Sequence, residues 1–101
     1  MKRVVVSPEA EAQIRVLDVW WRETRSASPL LFLDELAEGL EMLRHFAGAG
    51  QLVHHPAVAN VRRVLLRSSR YHVYYVDREA EVFVVAVWSS VRGRGPDLRG
   101  L

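Results

Sequence analysis

The carboxyl-terminal part of the chain, from Val61 to Leu98, alternates between short apolar runs and polar turns. Three runs are rich in Val, Tyr, Phe and Leu, which suit the pleated surface of a β-sheet. These runs are Val61–Arg67, Arg70–Asp77 and Glu81–Trp88. The polar segments between them, Ser68-Ser69 and Asp77–Ala80, are short enough for antiparallel hairpins, so a three-stranded meander is predicted.

Two amphipathic helices are predicted before the meander. Ser7 followed by Pro8 is typical of a helix start, because Ser accepts backbone N–H bonds and Pro fits the first helical position. Ser28-Pro29 repeats this signal for the second helix, and Gly48 marks its end. Gly39 falls on the apolar side of the second helix, where a missing side chain permits close approach of another element.

The remaining segments complete the order of elements. Arg3–Val6 is a short apolar run and is predicted to be a strand, whereas Gln51–Asn60 shows no period and is predicted to be a loop. The order is therefore β-α-α-β-β-β, and two helices joined by a short link form an antiparallel hairpin. The sequence predicts one α+β domain over residues 1–101, with a helical hairpin packed on one face of an antiparallel sheet and a flexible tail at 93–101.

Composition excludes several classes of protein. The 101 residues include no cysteine, which excludes disulfides, thiolate metal ligands and a cysteine nucleophile, and fits a cytoplasmic protein. No apolar run approaches the roughly 18 residues that a membrane helix needs. The amino terminus becomes acidic too soon for a signal peptide. No membrane partner is expected.

Charge is distributed unevenly between the two halves of the chain. Residues 1–53 carry six Lys or Arg against eight Asp or Glu, whereas residues 54–101 carry eight against four. Such polarity indicates a partner or target that meets the basic side. The alternative is that the positive charge only keeps the sheet soluble.

The last predicted strand is apolar at every position from Val82 to Trp88, so it is apolar on both faces. An antiparallel sheet usually has one wet face. Either the tail folds back over this strand or another chain covers it, and we favour another chain. The side chains expected at that interface are Phe83, Val85 and Val87, together with Val16 and Trp20 of the first helix, since Trp is enriched at binding hot spots. Of the two adjacent tryptophans, Trp21 is expected in the core and Trp20 to be partly exposed.

Five segments, in this order and spacing, are similar to the RelE/ParE superfamily of bacterial type II toxins, and the resemblance covers nearly the whole chain. They are Val6-Ser7-Pro8-Glu9-Ala10, Val61–Leu66, Tyr71–Asp77, Val85-Ala86-Val87-Trp88 and Arg92-Gly93-Arg94-Gly95-Pro96. The resemblance implies a small toxin, without a cofactor, that a cognate ParD-like antitoxin neutralises in a hetero-oligomer.

The superfamily divides by target. RelE-like members cut messenger RNA on the ribosome, whereas ParE-like members are held to poison DNA gyrase and have lost the cutting residues. Lys2 is the only lysine here, and no Tyr or His follows Trp88, which favours the ParE branch. The resemblance implies inhibition by binding, with Arg92 and Arg94 of the tail as the first candidates for target contact.

A metal-independent endoribonuclease is the alternative. Such cleavage needs a base near the 2′-hydroxyl, a cation on the phosphate and an acid for the leaving oxygen. Alternation along a strand places Arg62 and Arg63 on opposite faces, so at most one subset of candidates can converge. The candidates are Arg62, Arg63, Arg67, Arg70, Tyr71, His72 and Tyr74. The simpler interpretation is that the arginines solvate an exposed sheet face.

Two further possibilities carry less weight. The adjacent His54 and His55 lack a third spaced ligand, so no metal site is predicted. A module of the same fold that binds nucleic acid or an adaptor protein without being toxic is the third functional hypothesis.

Overall fold

A five-stranded sheet carries two helices in the computed structural model, which describes residues 1–91 and 93–99. The elements are β1 (Arg3–Val6), α1 (Pro8–Thr24), α2 (Leu31–His45), a 3-10 turn (Ala47–Ala49), β2 (Gln51–Val53), β3 (Val61–Leu66), β4 (Tyr71–Asp77) and β5 (Glu81–Ser89). The strand order is β1-β5-β4-β3-β2. The predicted α+β fold, with a helical hairpin on one face of the sheet, is confirmed.

Two features of the sheet differ from the prediction. β2, at Gln51–Val53, lies inside the segment predicted to be a loop and pairs with β3, because three residues are too few to show a period. β1 pairs with β5 in parallel, whereas the other neighbours are antiparallel. Parallel pairing requires a long crossover, and the intervening helices and strands supply one.

The two helix starts differ in their chemistry. Ser7 caps α1 as predicted, since its Oγ accepts the Ala10 N–H at 3.1 Å. The predicted start of α2 at Ser28-Pro29 is wrong, because the helix begins at Leu31 and has no side-chain cap. The Ser28 carbonyl instead accepts the Leu31 N–H at 3.2 Å, so Ser28 and Pro29 belong to the turn between the helices.

The first core lies between the helices and the sheet. Its fully buried side chains include Phe32 and Leu43 from α2 and Val84 from β5. Gly39 of α2 faces β3, where an added Cβ would lie 3.1 Å from the Leu66 Cδ2 atom. The prediction that this glycine permits a close approach is therefore confirmed.

The second core lies on the opposite face of the sheet and is covered by the chain's own residues. We name residues 94–98 the C-terminal strap. Leu98 of this strap is 3% exposed and packs in one cluster with Val85 of β5 and Tyr74 of β4. The Trp88 Nε1 atom donates to the Arg94 carbonyl at 2.9 Å, which fixes the start of the strap. The tail that was expected to be flexible thus contributes Leu98 to the second core, its flexibility stays a prediction, and Gly100 and Leu101 lie outside the described residues.

The turn between β3 and β4 is wider than the predicted Ser68-Ser69 pair. β3 ends at Leu66 and β4 begins at Tyr71, so four residues connect them, with Arg70 at a φ of 66°. Glu35 of α2 holds this turn through its carboxylate. The carboxylate accepts the Ser68 N–H at 2.8 Å, the Ser69 N–H at 2.9 Å and the Ser69 hydroxyl at 2.6 Å.

We predict that Glu35→Ala lowers the free energy of unfolding by about 1–3 kcal/mol. The substitution removes the charged acceptor to which Ser68 and Ser69 donate their hydrogen bonds. Burial alone raises the pKa of Glu35, but the hydrogen bonds from Ser69 and Ser68 outweigh it, so the folded-state pKa lies below the unfolded value. The stabilisation is therefore fully present above the unfolded pKa and is lost as pH falls through the folded pKa.

Urea denaturation of wild type and variant at neutral and at acidic pH measures this difference. Glu38→Ala is the matched control, because Glu38 is an exposed residue of the same helix. Equal losses from the two substitutions, or a Glu35→Ala effect that is the same at both pH values, would contradict the prediction.

Candidate functional site

The candidate ribonuclease residues divide between the two faces of the sheet, as alternation predicts. Arg63 pairs in register with Tyr74, and its Nη1 donates to the Tyr74 hydroxyl at 3.3 Å. The His72 ring lies beside Tyr74 with 6.0 Å between centroids. These three side chains converge on the face that carries the second core.

The other candidates do not join them. The Arg62 Nη1 donates to the Gly50 carbonyl at 2.8 Å, on the helix side of the sheet. The Tyr71 hydroxyl accepts the Trp21 Nε1–H at 3.1 Å, also on that side. Arg67 and Arg70 lie in the turn between β3 and β4. Arg63, His72 and Tyr74 are therefore the subset of ribonuclease candidates whose side chains lie close together.

The protonation of this subset follows from its surroundings. Burial lowers the pKa of His72, and the nearby Arg63 charge lowers it further, so the imidazole is largely neutral at pH 7. The Nε atom of Arg63 is buried and has no hydrogen-bond partner among the described residues. A neutral His and a guanidinium are suitable as a base and a phosphate contact.

The C-terminal strap closes access to Tyr74, whereas Arg63 and His72 are partly exposed. Tyr74 is only 4% exposed, and an added Cβ at Gly95 of the strap would lie 3.4 Å from its hydroxyl. A substrate would therefore have to displace the strap before it reached the Tyr74 hydroxyl.

The histidine pair lies in the loop opposite the strap. His54 is exposed, and the His55 Nδ1 atom accepts the Ala57 N–H at 3.1 Å. A depression of about 470 Å³ separates this loop from the strap and also contains Asp97 and Arg99. No group of three His, Asp or Glu side chains suitable for a metal occurs in residues 1–91 and 93–99.

The tail cations differ in their pairing. The Arg99 guanidinium hydrogen-bonds both carboxylate oxygens of Asp97 and lowers the pKa of that residue to about 2. Arg94 is exposed and forms no ion pair within the described part of the chain. Arg92, the other predicted target contact, lies outside the described residues.

A groove of about 560 Å³ runs between α1 and the carboxyl-terminal half of β5. β1 pairs with β5 only as far as Val84, so no described strand covers that edge beyond this residue. The Gln13 Oε1 atom of α1 accepts the Val87 N–H there at 2.8 Å. Sequence reasoning missed Gln13, whose only signal is a polar residue beside the apolar stripe of α1.

The antitoxin candidates on α1 lie along this groove. Val16 is 68% exposed and Trp20 is 43% exposed, while Trp21 is buried, so the predicted division between the two tryptophans is confirmed. Both Val16 and Trp20 line the groove. Their role in binding an antitoxin stays a prediction.

The antitoxin candidates on β5 do not form the single exposed face that alternation predicts. β5 has a bulge at Val85, because Tyr74 pairs with Ala86 and Tyr75 pairs with Val84. The bulge reverses the alternation, so Val87 packs in the first core and Val85 in the second. Val85 packs with Leu98 of the strap, and the Phe83 ring lies 4.3 Å from the Arg78 guanidinium carbon. A role of Phe83, Val85 and Val87 in binding an antitoxin stays a prediction.

None of the helices in residues 1–91 and 93–99 combines the length and apolar character needed to cross a membrane.

The chain is similar in fold to two solved toxin-antitoxin systems. A chain of the chromosomal ParDE TA system from P. aeruginosa aligns with a TM-score of 0.69 at 16% identity, covering 88% of this chain and 96% of that chain. A chain of the intact E. coli RelBE toxin-antitoxin complex aligns with a TM-score of 0.52 at 24% identity, covering 91% of this chain and 100% of that chain. At these identities the likeness shows the fold alone.

Sequence comparison gives the family. None of the curated proteins matches the chain. The family model described as the ParE toxin of type II toxin-antitoxin system, parDE, matches residues 4–93. Because that match spans most of the sequence, this chain belongs to the ParE toxin family of type II toxin-antitoxin systems.

Proposed function

We propose that this chain is a toxin that inhibits DNA gyrase in the cytoplasm by binding, and that a cognate ParD-like antitoxin neutralises it. The observation that carries the proposal is the arrangement of two surfaces. On the sheet face that would hold a ribonuclease site, the strap buries Tyr74, whereas the groove beside α1 is open and apolar. Membership in the ParE family supports the same choice.

Inhibition by binding is more consistent with a buried Tyr74 than catalysis is. A metal-independent nuclease needs an acid and a base that reach the substrate. Tyr74 is buried beneath the strap, and its hydroxyl already accepts a hydrogen bond from Arg63. Tyr71 lies on the other face, bonded to Trp21, so it does not substitute for Tyr74.

The groove beside α1 is the proposed antitoxin site. A helix can lay an apolar face into such a groove, and an extended segment can pair with the uncovered edge of β5. Trp20 is the proposed anchor, because a half-exposed Trp beside a groove buries a large area when it is covered. Val16 extends the same apolar surface by one helical turn.

The tail is the proposed contact with the target. Asp97 neutralises Arg99, which leaves Arg94 as an exposed cation on the outer side of the strap. Arg92 is proposed to act beside it on the basis of the sequence. An acidic surface on the target would complement these charges.

A RelE-like, ribosome-dependent messenger RNA endonuclease is the second candidate. The convergence of Arg63, His72 and Tyr74 on one face favours it. It requires that the target displaces the strap.

We predict that induced expression of this chain stops growth, that cellular DNA loses negative supercoiling, and that messenger RNA stays intact. Plasmid topoisomer gels and primer extension on abundant transcripts measure the two effects in the same cultures. Transcripts cut within codons, with supercoiling preserved, would favour the endonuclease. Normal growth at high expression without a neighbouring gene product would favour a non-toxic module.

The double variant Arg92→Ala with Arg94→Ala tests whether the tail contacts the target. It is expected to abolish growth arrest while antitoxin binding stays unchanged, because the Arg94 side chain does not line the groove beside α1. Full growth arrest by this double variant would exclude the tail from target contact.

We predict that Trp20→Ala weakens binding of the antitoxin encoded beside the gene by about 2 kcal/mol or more, as truncated hot spots do. Isothermal titration calorimetry with the purified antitoxin measures the change. Val19→Ala is the matched control, because Val19 is exposed on α1 but does not line the groove. An unchanged dissociation constant for Trp20→Ala would place the anchor elsewhere.

A further inference from the structure

The groove beside α1 continues into a second depression at the carboxyl-terminal end of the helix. This depression measures about 430 Å³ and shares Trp20, Tyr71 and Ser89 with the groove, so the two form one channel. The groove has an aliphatic floor that includes Leu17 and Val87. The second depression is polar and contains two arginines, Arg25 and Arg70.

Arg25 is held in place by aromatic contacts. It is the C-cap residue of α1, directly after Thr24, and its backbone N–H donates to the Trp21 carbonyl at 2.9 Å. Its guanidinium carbon lies 5.5 Å from the Trp20 ring centroid and 5.7 Å from that of Trp21. Stacking orders the guanidinium without using its N–H donors, so those donors remain available to a ligand.

Arg70 is held in place through its backbone. Its N–H donates to the Leu66 carbonyl at 2.8 Å, and its own carbonyl accepts the Ser90 N–H at 2.9 Å and the Ser90 hydroxyl at 2.8 Å. The turn that presents it is fixed to α2 by Glu35. The side chain is exposed, and three hydrogen bonds hold the backbone that carries it.

Neither arginine has a carboxylate partner in the described part of the chain. Many other cations of the protein do, including Lys2 with Asp77, Arg22 with Asp18 and Arg99 with Asp97. No acidic residue lines either part of the channel among residues 1–91 and 93–99. The channel therefore combines an aliphatic floor with a positively charged end that no described residue neutralises.

From this juxtaposition we infer that the channel binds a segment of a partner protein in which apolar side chains are adjacent to a carboxylate, and that the carboxylate is received between Arg25 and Arg70. The inference rests on the proposed antitoxin partnership and specifies the chemistry of the partner. The aliphatic floor favours a protein segment over a nucleic acid, because a nucleic acid needs phosphate contacts along its length. Arg25 and Arg70 fix the position of the segment, and Trp20 buries its apolar part.

A random peptide library displayed on phage, selected on the purified full-length chain, tests the inference without knowledge of the natural partner. The wild-type chain is expected to enrich peptides in which Asp or Glu neighbours apolar residues. For one selected peptide, exchange of its Asp or Glu for Asn or Gln is expected to weaken binding about tenfold, the effect of one charge-assisted hydrogen bond.

The double variant Arg25→Gln with Arg70→Gln is expected to bind the acidic peptide and its amide counterpart equally well. Arg15→Gln with Arg67→Gln is the matched control, because it removes the same charge from exposed positions that do not line the channel. The control is expected to keep the preference.

Selection of peptides without acidic residues, or an acid preference that persists in the Arg25 and Arg70 variant, would overturn the inference. A single-stranded oligonucleotide that binds the wild-type chain and not this variant would also overturn it, in favour of a nucleic acid. These binding results do not depend on toxicity, so an acid preference in a chain that fails to arrest growth would refute the proposed function alone.

Discussion

The structure depends on the need to remove both faces of β5 from water. This strand is apolar from Val82 to Trp88 and lies between β1 and β4, so one layer of helices can cover only one of its faces. The other face is covered by the strap and the loop before β3, through Leu98 and Val58. Burial of apolar area is the main favourable term in folding, so this second cover contributes to stability as well as to shape.

The parts of β5 that neither β1 nor the strap covers determine which surfaces are available to partners. β1 stops at Val6, and no other strand of the described residues pairs with that edge of β5 beyond Val84. Gln13 satisfies one backbone donor at this edge, and α1 stands beside it with Trp20 half exposed. The open groove therefore follows from unequal strand lengths, and the burial of Tyr74 follows from the position of the strap.

The sequence predicted the features that depend on local chemistry or on a period. β1, the Ser7 cap and the distinction between Trp20 and Trp21 all follow from neighbouring residues, and each is confirmed. The opposite orientations of Arg62 and Arg63 follow from strand alternation and are also confirmed.

The features that the sequence did not predict depend on contacts between distant segments. The bulge at Val85 is a property of register with β4, and it moved Val87 to the other face. The strap has no period that could indicate where Leu98 packs. Arg25 and Arg70 line one depression and Glu35 bonds the turn that carries Arg70, but no pattern in the sequence connects these three residues.

The most direct test of this account is the free energy of unfolding of Leu98→Ala, measured by urea denaturation beside Leu30→Ala, whose side chain is 44% exposed. If the strap forms the second cover of β5, Leu98→Ala lowers the free energy of unfolding by about 2 kcal/mol or more, in the range found when buried leucines are truncated. The same small change in both variants would show that the strap does not cover the sheet and would contradict the account.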